Sequence, residues 1–555
     1  MADRHPRTPA VAGPRPPTSD VVRAGPRPRV LLTTEGTYPF AHGGVSTWCD
    51  IVVNGVSGAD WDVFAITAGG IRRPFVFELP TNTRLAGHID LWSERVTARR
   101  PGRRSNLRTG LAAELVHGLL GWDADPLSVI DALVWCRNNP EKIRATLRHA
   151  NAWSAFRGAL GEVLTADRGD RVAPMLDEQH VCDLFQTLCW IAQTASAPTP
   201  TGSDAPDLII VTAAGWAGIP AAVHRALHGT PVALSEHGVY VREAYLAAIR
   251  DRDSSGERWV HTRLARGLAR LTYAVADVVA PVTSANAAWE RALGADPDRI
   301  RTIHNGVLVP SKVAPMPIDP VVVTVGRIDP LKDVKTLLRA AASVVERMPN
   351  VRFDHYGPVP EGNERYGAEC LALHRDLGLG ERFRFLGPTD DPYAVLETAS
   401  LSVLSSISEG FPISVLEAMA AGRPVVATAV GGVPEALSGC GFTVRPGDYE
   451  ALATGVVRLL EDPALAASLG VRSRQRVVHA FGQEGCLIAY ADLIGELTGM
   501  RPAVTAPESG VDEALTVLEA LDSLDTHDAS DELEPEHRRS DASAAPVARP
   551  ARDPS

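Results

Sequence analysis

Apolar residues in the second half of the chain fall into short runs: VVVTVG (321–326), VRFDHYG (351–357), RFRFLG (382–387), LSVLSS (401–406) and RPVVAT (423–428). Each has the length of a strand, and several are nearly continuous, as strands buried on both faces of a parallel sheet are. Most are followed by a helical pattern. The first half repeats the arrangement with Arg29-Val30-Leu31-Leu32-Thr33, DVFAITA (62–68), DLIIVTA (207–213) and PVALSEHG (231–238). Strand–helix alternation of this kind predicts two parallel α/β domains, one over residues 29–307 and one over 320–480. The stretch between them, LVPSKVAPMPID (308–319), has three prolines and no periodicity, which marks a boundary. Residues 95–200 break the alternation. Segments such as EKIRATLRHANAWSAFRGALGEVL read as amphipathic helix, so this region is expected to be a helical insertion in the first domain.

Both ends differ from this body. Residues 1–28 and 503–555 are rich in Pro, Ala, Ser and charge, the composition of a disordered arm and tail. Leu515, Leu518 and Leu521 alone carry helical spacing there, predicting a short helix over Val511–Leu524. The net charge of −12 is concentrated in the tail, where 13 Asp/Glu face 4 Arg. The body is acidic as well, which excludes the basic face that nucleic acid requires. The 555 residues contain no run of 18 apolar positions and the N-terminus has no apolar centre of a secretory signal, so a cytoplasmic protein without membrane spans is expected. Seven cysteines without a C-x-x-C spacing argue against a disulfide framework or zinc site.

Ligands of open α/β sheets bind beyond the carboxyl ends of strands, so the loops there hold the candidate chemistry. After VVVTVG, Gly326 leads into Arg327-Ile328-Asp329-Pro330-Leu331-Lys332-Asp333. Arg327 and Lys332 share one short loop and can converge on one anion, a guanidinium fork and a mobile ammonium suited to a diphosphate. Ordinary surface cations, with Asp333 as a helix N-cap, are the bland alternative. After LSVLSS comes Ser408-Glu409-Gly410-Phe411-Pro412-Ile413-Ser414-Val415-Leu416-Glu417, a strand-to-helix turn with two glutamates. Proline is tolerated in a first helical turn, and such a turn aims backbone N–H groups at an anion. Glu409 in the loop and Glu417 on the helix can accept hydrogen bonds from sugar hydroxyls. In the first domain, the Gly43-Gly44 pair can bring bare backbone close to a ligand at a helix start, and His237 ends a strand. Nothing with metal-ligand spacing appears.

These residues carry a resemblance. VGRIDPLKDVKTLL (325–338), FLGPTDDPYAVL (385–396), SEGFPISVLEAMAAGRPVVAT (408–428) and VGGVPE (430–435) resemble the retaining glycosyltransferases of family 4. EGTYPFAHGGVSTW (35–48), SEHGVYVRE (235–243) and GPVPEGNERYGAEC (357–370) resemble, more narrowly, the cytosolic glycosyltransferases of Pel exopolysaccharide systems. The resemblance implies a GT-B fold: two facing Rossmann-like domains, a cleft between them, and a crossover helix at 481–500. It implies that Arg327 and Lys332 hold the donor diphosphate, that Glu409 binds the donor sugar, and that Glu417 binds the ribose. By the same likeness His237 lines the pocket near the reacting carbon, and Gly43, Gly44, Gly326 and the backbone from Phe411 to Val415 contact the donor. The backbone around Phe385–Gly387 is the expected base contact. Two positions depart from the pattern: Ile210 stands where many relatives have histidine, and Gly357-Pro358 lacks a second glycine.

The expected activity is retaining, metal-independent transfer of a hexose, glucose first, from a UDP-sugar to a glycan or exopolysaccharide acceptor. No cofactor is expected besides the donor, and a membrane polysaccharide-export complex is an admissible partner. The alternatives are a GDP-mannose-dependent transferase making a glycolipid or small glycoside, and a non-catalytic nucleotide-sugar-sensing subunit of a membrane polysaccharide synthase. A phosphorylase shares the fold, but no lysine-anchored cofactor segment stands out.

Overall fold

The computed structural model describes residues 26–36, 38–68, 74–91, 107–168, 176–250 and 253–505. The helix expected over Val511–Leu524 lies outside them. Among the described residues, twelve strands form two sheets. The first contains β1 (Arg29–Glu35), β2 (Asp60–Thr67), β3 (Thr83–Asp90), β4 (Leu208–Val211), β5 (Val232–Glu236) and β6 (Val278–Pro281), in the order β3-β2-β1-β4-β5-β6. The second contains β7 (Val321–Val325), β8 (Arg352–Tyr356), β9 (Phe383–Gly387), β10 (Leu401–Leu404), β11 (Val425–Thr428) and β12 (Phe442–Val444). Read from its β9 edge, its order is β9-β8-β7-β10-β11-β12, the same topology as the first sheet. Every pairing is parallel. The chain thus folds as two Rossmann-like domains, the GT-B arrangement.

The strands anticipated from the sequence are all present, most of them buried on both faces; β4, β5, β10 and β11 expose no residue. Three strands were not anticipated. β3 is an edge strand with no fully buried position, and β6 and β12 have only four and three residues.

The segment expected as a helical insertion supplies helices Leu111–Leu120, Ile130–Asn138, Pro140–Leu147, Ala150–Arg168 and Glu178–Ser196. Their apolar faces pack against helices Gly218–His228 and Ser255–Val275 in one cluster, away from the strands. Helix Gln483–Thr498 follows the second domain but fills the core of the first. Leu487, Tyr490, Ala491, Leu493 and Ile494 share a cluster with Trp48, Val52 and Val53. Residues 503–505, assigned above to the acidic tail, continue this docking. Ala503 accepts from the Gly58 N–H at 2.9 Å, and the Thr505 N–H donates to Gly55 at 2.7 Å. The seven cysteines form no disulfide, and five are buried. Among the described residues no helix is long and apolar enough to cross a membrane.

Candidate active site

In each sheet the strand order reverses beside the first strand, between β1 and β4 and between β7 and β10, and such switch points open a crevice. The loops leaving β7 and β10 are the two cation- and glutamate-bearing loops. Asp329 folds the first: its carboxylate, 4% exposed, accepts from the N–H groups of Leu331 at 2.9 Å and Lys332 at 3.2 Å. The same carboxylate accepts from Arg327 Nε at 3.1 Å, holding a guanidinium that stays half exposed. Asp333 then N-caps helix Val334–Arg347. The second loop is tied to the first. Ser405 Oγ donates to the carbonyls of Lys332 at 2.8 Å and Asp333 at 3.1 Å, and the Ile407 N–H donates to Leu331 at 2.8 Å. Lys332 Nζ consequently lies 2.6 Å from Glu409 Oε1, which also accepts from Ser406 Oγ at 2.5 Å.

Pro412 occupies the N-cap of helix Ile413–Ala420, one position before the first turn in which it was expected. No side chain caps that helix. Its first N–H groups have no intrahelical acceptor and stand open to an anion. Helix Gly44–Gly55, across the gap, also starts without a side-chain cap, and a Cβ on Gly43 or Gly44 would meet nothing within 4 Å.

These elements enclose a cavity of about 470 Å³, within the usual range for small-molecule sites. Arg327, Lys332, Glu409, His237, Gly43, Gly44, Gly326, Phe411, Pro412, Ile413, Ser414 and Glu417 all line it. Val415 does not; it is 3% exposed and packs in the second domain's core, because its helical position points back at the sheet. The Phe385–Gly387 strand end does not line it either. Phe385 packs against His355 and His374, and the Gly387 carbonyl accepts from Gly357.

Burial sets the protonation of two of these groups. The Glu417 carboxyl is pushed up to about 7, so it exchanges its proton near neutrality. His237 sits against Trp48, ring centres 4.5 Å apart, with Nε2 3.2 Å from Ser235 Oγ. Desolvation lowers its pKa to about 3 against a hydrogen bond to Asn305, leaving a neutral imidazole.

Several residues went unassigned in the sequence: Glu35, Glu243 and Asn305 line the cavity, and Arg242 and Glu435 brace the loops around it. Glu35, at the end of β1, is fixed by Tyr240 Oη at 3.0 Å and the Ala217 N–H at 3.4 Å, and burial raises its pKa. Glu243 accepts from Ser408 Oγ across the gap at 3.1 Å. Arg242 donates to the Glu409 carbonyl at 2.9 Å, and Asn305 to that of Phe411 at 3.1 Å. Glu435, in VGGVPE, accepts from Ser284 N at 2.9 Å and from His304 Nε2 at 2.6 Å. Burial would raise its pKa, but those bonds outweigh it and hold the carboxyl below its usual range. Glu35, Arg242 and Glu243 lay inside quoted motifs; Asn305 carried no local signal. Among the described residues no group of three or more His, Cys, Asp or Glu is arranged to hold a metal ion.

Comparison with known proteins bears on the fold and the family. Residues 319–462 match the family described as Glycosyl transferases group 1, and residues 28–298 match a Domain of unknown function (DUF3492). The D-inositol 3-phosphate glycosyltransferase 2 of Catenulispora acidiphila is 35% identical over 225 residues, 37% of this chain and 52% of that protein. A D-inositol 3-phosphate glycosyltransferase of Mycobacterium avium is also 35% identical, over 38% of this chain and 54% of its own length. The chain thus spans about half the length of the curated relatives it matches. Among solved structures, sucrose-phosphate synthase from Thermosynechococcus elongatus superposes with a TM-score of 0.55 at 21% identity, covering 85% of this chain and all of that one. Anabaena HepE, solved with UDP and glucose, gives 0.53 at 17% identity over 84% of this chain and 99% of its own. The second domain therefore matches the glycosyl transferase group 1 family, and the described residues have the GT-B fold. The relatives named here are not Pel enzymes, so that narrower likeness rests on the quoted motifs alone.

Proposed function

We propose that this protein is a retaining glycosyltransferase that moves a hexose, glucose first, from a UDP-sugar to a hydroxyl of a glycan or exopolysaccharide. The observation that carries the reading is the convergence of Arg327 and Lys332 with Glu409, Glu417 and two uncapped helix starts in one cavity. When the bond between the anomeric carbon and the diphosphate breaks, negative charge gathers on the leaving oxygens. Preorganised cations aimed at that charge are typically the largest catalytic contribution. Arg327 is propped for this role by Asp329, and Lys332 is positioned by Glu409. Glu409 would also hold donor-sugar hydroxyls, and Glu417, close to its titration point, the ribose.

The acceptor hydroxyl bonds to the anomeric carbon on the face the diphosphate leaves. Its proton passes to a leaving phosphate oxygen, which balances the step without a protein nucleophile. Neutral His237 can orient a hydroxyl there without adding charge. The bonds from Arg242, Asn305 and Ser408 across the gap support a closed cleft, in which water is excluded and the sugar goes to the acceptor. Arg327, Lys332, Glu409 and Glu417 are all intact, which favours turnover over a silent sensing subunit.

A donor panel tests the proposal: purified protein with UDP- and GDP-sugars, scored by release of nucleoside diphosphate. UDP release with UDP-glucose above the other donors is expected. Preference for GDP-mannose would favour the alternative enzyme, and no release with any donor would reject transfer.

A further inference from the structure

A second cavity, of about 360 Å³, lies in the helical insertion among His117, Trp122, Asp123, Glu162, Val163 and Asp167. It is formed where helix Leu111–Leu120 ends beside helix Ala150–Arg168, and shares no lining residue with the cavity between the domains. We propose that it is a saccharide-binding site, taking a short neutral glycan segment.

Its walls are held from behind by helix Ser255–Val275. Arg263, 6% exposed, donates to Asp167 and to the Leu120 carbonyl at 3.3 Å, and its guanidinium lies 4.7 Å from the centre of the Trp122 ring. Trp259 Nε1 donates to the same Asp167 oxygen at 3.1 Å. Arg266 lies 4.0 Å from the Trp122 ring and donates to the Trp122 carbonyl at 3.0 Å, and Arg270 donates to that carbonyl at 3.3 Å. A purely structural ion pair would explain Arg263 and Asp167. It does not explain why Trp122, which these cations hold at the cavity wall, remains 37% exposed.

The mouth has the chemistry of sugar recognition. An indole supplies an apolar wall for a sugar's C–H face, while carboxylates and imidazole exchange hydrogen bonds with hydroxyls. Asp123 and Glu162 are exposed there, with His117 Nε2 2.9 Å from Glu162. Three carboxylates and no Arg or Lys line the cavity among the described residues, the arginines lying behind Trp122, which disfavours an anion such as a nucleotide or sugar phosphate. The volume is at the low end for ligand sites, which fits a short saccharide.

The test is calorimetry on the full chain with short α- and β-linked glucose oligomers and N-acetylglucosamine oligomers. The proteins are wild type, Trp122→Ala, and an Asp123→Asn/Glu162→Gln double variant that leaves the ring and Arg263 in place. Saturable binding of at least one series is expected, weakened about tenfold or more by either change, or about 1.4 kcal/mol. UDP binding and donor turnover should be unchanged, so failure of the donor panel would leave this result standing. Absence of saturable binding across the panel would overturn the proposal. So would binding that the folded double variant retains in full.

Discussion

Replacing Gly410 by alanine would test whether the two domains must meet as closely as they do. A Cβ at this position would stand 1.7 Å from the His237 carbonyl oxygen and 2.9 Å from its carbon. Both are backbone atoms of the opposite domain, so no side-chain rotation relieves the clash. Contact near 3 Å requires the surfaces to part by more than about 1 Å, and a misplacement of about 1 Å in a reacting geometry costs on the order of 10²-fold in rate. That corresponds to about 2.7 kcal/mol of barrier. The turn's own bonds, Lys332 to Glu409 and Gly432 N–H to the Gly410 carbonyl at 2.7 Å, lie within the second domain and move with it. Donor affinity should therefore stay within a few-fold of wild type while turnover falls about 10²-fold. Nucleotide release at saturating donor and acceptor, donor calorimetry and a melting curve together measure this. A folded Gly410→Ala protein that turns over within about twofold of wild type would refute the reasoning.

Loss of either cation, in Arg327→Ala or Lys332→Ala, should lower turnover by about 10²–10³-fold, as for one lost charge-stabilising donor; near-normal turnover in both would reject their role. Glu417 binds its proton more tightly folded than unfolded, its pKa rising from 4.5 to about 7. Its contribution to stability is therefore present at low pH and lost as pH rises through that window. Denaturant melts of Glu417→Gln should lack this decline, and parallel wild-type and variant pH profiles would contradict it. Transfer should persist in EDTA, because Arg327 and Lys332 supply the charge at the leaving group; activity abolished by chelator and restored by magnesium would overturn metal-independent transfer.

The sequence disclosed the parts of fold and site that depend on neighbours along the chain. β7 and β10 are apolar runs, and the loops behind them carry Arg327, Lys332 and Glu409 within a few residues of each strand end. β3 was hidden because an edge strand with no fully buried residue lacks a strong hydrophobic signature. Arg242, Glu243 and Asn305 were hidden for another reason. Their partners Glu409, Ser408 and Phe411 are more than 100 residues away in sequence, and only the apposition of two domains gives them meaning. The burial of the Val415 side chain could have been anticipated, since a helix turns successive side chains through about 100° and carries this one back toward the sheet.

Helix Gln483–Thr498 has a bearing on how the molecule is made. Leu487, Tyr490 and Ile494 complete the interior around Trp48, and Tyr490 Oη lies 2.6 Å from Ser235 Oγ beneath His237. A nascent chain emerging from the ribosome leaves an apolar trench uncovered in its early half until this late segment arrives. Cutting between residues 308 and 319 should accordingly yield a first fragment prone to aggregation, which supplying the missing helix as a peptide would rescue.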